Sequence, residues 1–221
     1  SKTKLSFSIW VGCMQRVTKE EYPLDSLQRI LNGVTFFKEL IQNDESQFEV
    51  LMSIAQIVTA EPNETIIEKG DYSNSLYFLL RGQLSVFVEG DKGEQVLNEI
   101  NAGEVFGVMS MLLIQPRSAS VKTRAKPVLL AGIDFKHFSD IEDFTLFSLE
   151  TKLAFYRMVA NNLRWTLERN KMENPQHPLV SSLFKIPLFV GLKGGQEELE
   201  ALFNQAHLLA KLVSEWNDSK A

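Results

Sequence analysis

The sequence predicts an α+β fold, a body of short β-strands with helices at both of its ends. Three patterns carry that expectation. Between residues 65 and 133, short apolar runs alternate with turn residues at regular spacing, which suits a sandwich or barrel. Ahead of them, apolar residues recur at helical spacing in two segments. Behind them, Leu146, Leu149, Leu153, Tyr156, Ala160, Leu163 and Leu167 follow at intervals of three and four without a break.

In chain order, Leu5, Phe7, Ile9 and Val11 alternate with Ser6, Ser8 and Trp10, as in a short strand. That arm either packs on the main body or offers a sheet edge to a partner. Pro23 opens a helix whose Leu24, Leu27, Ile30 and Leu31 share a face. Phe36, Phe37, Leu40 and Ile41 form a compact apolar turn. Asn43 or Asp44 caps a second helix over 45–55, with Phe48, Leu51 and Met52 on one side. Strands follow at 65–67, at 75–80 and at 84–89, where Leu84, Val86 and Val88 alternate with Ser85, Phe87 and Glu89. Gly90-Asp91-Lys92-Gly93 is a hairpin turn. The return run holds Val96, Leu97 and Ile100, and two more strands lie at 119–121 and 128–133.

The long helix is expected over 143–171. It stops before Asn174-Pro175 and His177-Pro178, since proline cannot continue it. Its seam has two uses: packing on the β-body, helped by Phe155, Val159 and Trp165, and pairing with a twin helix in a parallel homodimer. In the tail, residues 186–192 echo residues 34–40, and Leu199 and Leu202 follow as Phe48 and Leu51 do. This is either the helical entrance of a second domain of the same kind or a generic amphipathic helix pair. Both need their apolar face covered.

An apolar share of 44% supports a sizeable core. A net charge of −5 gives no electrostatic case for DNA. Cys13 is the single cysteine, so no intramolecular disulfide forms, which is compatible with a reducing cytosol. No apolar run approaches the ~20 residues of a membrane span. His137, His177 and His207 lack metal-ligand spacing, and there is no P-loop or nucleophile motif. The expectation is a cytoplasmic protein that is not an enzyme and holds no metal.

One stretch carries chemistry. Gly107 follows Val105-Phe106, a short apolar segment comes next, and Pro116-Arg117-Ser118-Ala119 closes it. A glycine lets the backbone approach a ligand, free N–H groups at a helix start attract an anion, and an arginine adds a rigid fork of donors. With these residues the stretch resembles the phosphate-binding cassette of cyclic-nucleotide-binding domains, such as the sensor domain of the bacterial catabolite-activator type. Phe106, Gly107, Pro116, Arg117, Ser118 and Ala119 match that cassette, and Gly70, Gly82 and Gly103 fall in register. The resemblance covers about residues 34–138.

The resemblance implies a jelly-roll-like β-roll with N-terminal helices, a long C-terminal helix and a short helical tail. It divides the chain into an arm and helix at 1–33, a β-roll domain at 34–142, a dimerisation helix at 143–173 and a tail at 174–221. It implies a cyclic nucleotide ligand, cyclic AMP ahead of cyclic GMP, held by Gly107, Val108, Met109, Ser110, Arg117, Ser118 and Ala119. Arg117 would pair with the phosphate, with the N–H groups of Ser110 and Ser118 completing the cradle. Alignment of the long helix places Asn162, Trp165 and Thr166 near the base. No recognition helix for DNA follows, so the output would pass to a protein partner. The sequence departs from the family at Val108, where a glutamate accepts from the ribose 2′-hydroxyl; valine cannot. Three outcomes stay open: weak binding, binding in a shifted pose, or a degenerate fold that serves as a ligand-independent dimeric interaction module.

Overall fold

The computed structural model describes residues 14–16 and 21–220. The alternation over residues 5–11 lies outside the described residues. Among the described residues, three helices precede the main run of strands: α1 (Leu24–Leu31), α2 (Thr35–Asn43) and α3 (Glu45–Ile54). Pro23 sits at the start of α1, where a missing N–H costs nothing. Phe36, Phe37 and Leu40 belong to the nine-residue α2 rather than to a turn. Asp44 caps α3 by accepting from the Gln47 N–H at 3.2 Å.

Among the described residues, nine strands form two antiparallel sheets. Their ranges are β1 (Gln15–Arg16), β2 (Gln56–Ala60), β3 (Thr65–Ile67), β4 (Ser75–Arg81), β5 (Gln83–Gly90), β6 (Gly93–Asn101), β7 (Val105–Phe106), β8 (Ser120–Thr123) and β9 (Val128–Asp134). One sheet runs β1-β2-β9-β4-β7 and the other β3-β8-β5-β6. Strand β2 has no counterpart in the sequence reading; it starts two residues after α3, with no turn residue to mark it. A bulge at Val86/Phe87 interrupts the strict alternation expected in β5, and Phe87 and Val88 are both buried.

The sheets enclose a core of Val58, Ile67, Tyr77, Leu79, Leu84, Ile100, Val121 and Leu130. On the opposite face of the first sheet, Leu76, Phe78, Leu80, Leu129, Ala131 and Ile133 meet the helices. Strands β4 and β9 are thus buried on both faces, which explains their unbroken apolar sequences. Phe36 stacks on Phe78 with centroids 5.8 Å apart, and Phe138 stacks on Phe155 at 4.1 Å. Each fully buried ring of this kind contributes about 1.5–3 kcal/mol.

The cassette contains the single turn α4 (Met109–Leu112), and α5 (Lys136–Ser139) follows β9. The long helix α6 (Leu149–Glu173) begins six residues later than expected, at Ser148, whose hydroxyl accepts from the Thr151 N–H. Ahead of it, the buried Lys152 ammonium donates to the Asp140 and Asp143 carbonyls and holds that segment out of the helix.

The tail is not short. After α7 (Val180–Phe184) comes α8 (Gln196–Lys220), 25 residues long like α6. Its Leu199, Leu202, Ala206, Leu209, Val213 and Trp216 are buried, and the helix lies along α6. Arg157 of α6 forks onto Glu198, Nε to Oε1 at 2.9 Å and Nη2 to Oε2 at 2.7 Å. His177 stacks on Trp216 at 4.2 Å. The α6 seam is therefore spent inside the chain. Leu153, Tyr156, Ala160, Leu163 and Leu167 are all buried, and only Leu146, outside the helix, is exposed. This removes the surface that the sequence reading assigned to a twin helix. No helix among the described residues is long and apolar enough to cross a membrane.

Candidate ligand cavity

Arg117 is the centre of the cassette. Its side chain is buried, 5% exposed. The guanidinium donates from Nη1 to the Gly107 carbonyl and to Ser110 Oγ (2.9 Å), and from Nη2 to the Ser75 carbonyl (2.7 Å). Its Nε is buried without a partner. The Arg117 backbone is fixed too, since its N–H donates to the Asp71 carbonyl and its carbonyl accepts from the Gly70 N–H. Burial pulls the guanidinium pKa down, opposed by Tyr77 and Asp71. Arginine stays charged regardless, and no carboxylate forms an ion pair with it among the described residues.

Gly107 is where the cassette needs a glycine. Its φ is +80°, and a Cβ there would lie 3.0 Å from Arg117 Nη1 and 3.3 Å from the Ser75 carbonyl. Any side chain would push the guanidinium out of its seat.

A cavity of about 140 Å³, measured as space open to the centres of water molecules, opens beside this arginine. One wall is the cassette: Gly107, Val108, Met109, Ser110, Arg117, Ser118 and Ala119 all line it, as the sequence reading places them. Val108 lines the cavity and joins the apolar core at once, 5% exposed. It offers no acceptor to a hydroxyl. Among the described residues the only acidic lining residue is Glu104, and one of its oxygens already accepts from the Asn101 N–H at 2.7 Å.

The second wall is helical. Asn162 and Thr166 of α6 line the cavity as expected, with the Thr166 hydroxyl donating to the Asn162 carbonyl. Trp165 does not. It points away, 54% exposed, and cannot stack on a ligand. Three polar residues of this helical wall escaped the sequence reading: Arg169 and Asn170 of α6, and Asn217 of α8. Arg169 and Asn170 lie one turn beyond Thr166 on the same face, a signal available in the helical spacing. Asn217 becomes visible only once α8 is known to pack against the cassette. There Gln115 Nε2 reaches Ser214 Oγ at 3.4 Å. Among the described residues no group of three or more His, Cys, Asp or Glu side chains gathers as a metal site would.

Comparison with known proteins agrees with this geometry. Residues 57–142 match the family model of the cyclic nucleotide-binding domain. The chain is 32% identical over 114 residues to a cAMP-dependent protein kinase type II regulatory subunit of Drosophila melanogaster, covering 50% of this chain and 29% of that protein. It is 30% identical over 77 residues to a cGMP-dependent protein kinase of Plasmodium berghei, covering 35% of this chain and 8% of that protein. The chain thus spans less than a third of either relative. Among solved structures, the regulatory domain of Toxoplasma gondii PKA with cAMP is 26% identical, with a TM-score of 0.43 over 52% of this chain and 42% of that one.

Proposed function

We propose that this chain, whose residues 57–142 match the family model of the cyclic nucleotide-binding domain, is a non-catalytic sensor that binds a cyclic nucleotide and reports it to a partner protein. One observation carries the reading. Arg117 is a buried cation on a cavity wall, with no carboxylate in ion-pair contact among the described residues and Nε unpartnered. Burying an unpaired charge is costly, so such a site is relieved by an anion. The cyclic phosphate is the anion that the cassette of this family is built to take.

On this reading the sensor unit is 34–142, covered by 143–173 and 174–221. Ligand binding shifts how α6 and α8 sit on the cavity, and that shift is what the partner detects. The partner is a protein rather than DNA, given the net charge of −5, and the single cysteine supports a place in the cytoplasm. A homodimer through 143–173 is not part of the proposal, because α8 already covers the α6 seam. A mass of twice the chain in light scattering would reopen it.

A second reading has its own observation. Val108 gives the ribose nothing to hold, which favours a ligand-independent interaction module. Calorimetry with cyclic AMP and cyclic GMP separates the two. Wild type should bind with a Kd below roughly 1 mM. Arg117→Ala should bind at least about a hundredfold more weakly, since hydrogen bonds to a charged group contribute about 1.5–3 kcal/mol each. Wild type without heat of binding, or a variant that binds equally well, ends the sensor reading.

A further inference from the structure

The helical wall carries more hydrogen-bonding capacity than the fold uses. Arg169 lines the cavity, its Nε is buried without a partner, and its side chain makes no hydrogen bond or ion pair with any described residue. Asn170, beside it, is 7% exposed and also lines the cavity. Its amide has an assigned direction. Lys220 Nζ lies 3.2 Å from Asn170 Oδ1, and an ammonium only donates, so the oxygen must face the lysine. The Nδ2 group then faces the other way, and it too is buried without a partner. Two adjacent residues of one cavity wall therefore hold unspent donors. Buried polar groups are rarely left so, and their absent partners are acceptors.

We propose that Arg169 and Asn170 read the base of the bound nucleotide and select a 6-keto purine, guanine or hypoxanthine, over adenine. The inference rests on the cyclic-nucleotide reading of the cavity. A guanine edge presents two acceptors, O6 and N7, which an arginine fork matches. An adenine edge presents N7 as acceptor but the 6-amino group as donor. Asparagine matches adenine by using both ends of its amide. Asn170 is turned against this, with Oδ1 toward Lys220 and Nδ2 facing the other way. The wall thus offers donors where adenine also brings a donor, and this inverts the order of ligands expected from the sequence.

The test is calorimetric titration of the full chain with cyclic GMP, cyclic IMP and cyclic AMP. Both keto nucleotides should bind at least about tenfold more tightly than cyclic AMP. Arg169 is partly exposed, so Arg169→Gln should fold, and it should bring the ratio close to one. Asn170→Asp replaces the donor by an acceptor and should move the preference toward cyclic AMP. Arg117→Ala should weaken all three ligands by one common factor and leave the ratio intact.

The proposal falls if wild type binds cyclic AMP as well as or better than the keto nucleotides. It also falls if the preference survives Arg169→Gln. A preference for cyclic GMP that cyclic IMP does not share overturns it as well, since the 2-amino group would then be the feature read. If none of the three ligands binds, the sensor reading itself fails and takes this inference with it.

Discussion

In the cassette wall, Arg117 is seated by three acceptors from two segments, Gly107 and Ser110 of the cassette and Ser75 of β4, before any ligand arrives. In the helical wall, the Arg169 side chain has no partner among the described residues, and α8 reaches the cavity by packing on α6 and α4. The first wall is preorganised and loses little on binding. The second is free to adapt, and its position depends on contacts far from the ligand. A cavity of this kind separates two tasks: the rigid wall sets whether an anion binds, and the movable wall sets which ligand binds and what the partner detects.

The largest expected effect attacks the movable wall. Trp216 is 1% exposed and stacks with His177. Trp216→Ala should cost about 3–5 kcal/mol in chemical denaturation, the usual range for deleting a buried aromatic. A loss below about 1 kcal/mol would mean that this packing does not hold α8 against α6, and the helical wall would not be a formed wall of the cavity.

The next test stays in the rigid wall. Because Val108 cannot accept a hydrogen bond, wild type should bind 2′-deoxy and ribo cyclic nucleotides alike. Val108→Glu should tighten the ribo form alone by about tenfold, the weight of one recovered hydrogen bond. A wild type that already prefers the ribo form would show that another group reads the hydroxyl.

Acid should act on the movable wall through Glu198. The hydrogen-bonded Arg157 fork first, and the Gly194 N–H after it, hold this carboxyl below its usual range. Its folded pKa is depressed, so the stabilisation is present at neutral pH and is lost as pH falls through the folded value, beneath about 4.3. Thermal melts from about pH 7 to about pH 3 should lose less stability in Glu198→Gln than in wild type. Equal slopes would remove the ion pair from the forces that hold α8.

The smallest effect lies at the edge of the cassette. Ile114 is 91% exposed with φ at +52°, a conformation that suits glycine or asparagine and strains a β-branched residue. Ile114→Asn should stabilise by about 1 kcal/mol and leave ligand affinity unchanged. A drop in affinity would assign the strain to the binding geometry.

The cassette was legible because its chemistry is contiguous. Gly107 is forced by positive φ and a neighbouring guanidinium, and Arg117 by the anion, so residue type and spacing carried the answer. The strands and the first helices were read from periodicity for the same local reason. The helical wall was not legible in this way. A seam at intervals of three and four says that a helix needs a partner, but not whose. The answer was in the tail, where Leu199, Leu202, Ala206, Leu209, Val213 and Trp216 repeat the same intervals. Two such seams on helices of equal length in one chain cover each other at a lower entropic cost than two chains would. Residues 186–192 did not repeat the burial of residues 34–40. Leu188, Val190 and Leu192 are exposed, whereas Val34, Phe36, Phe37 and Leu40 lie in the core.

That exposed stretch has a consequence for proteolysis. It is the tether between α7 and α8, and α8 is held by packing rather than by short connection. A single cut near Val190 would leave the tertiary contacts in place while turning α8 into a dissociable peptide. Closure of the cavity would then change from an intramolecular equilibrium into a bimolecular one, and the protein's response would depend on its own dilution. Size-exclusion of nicked protein would show it, as one species when concentrated and as a shed helix when dilute.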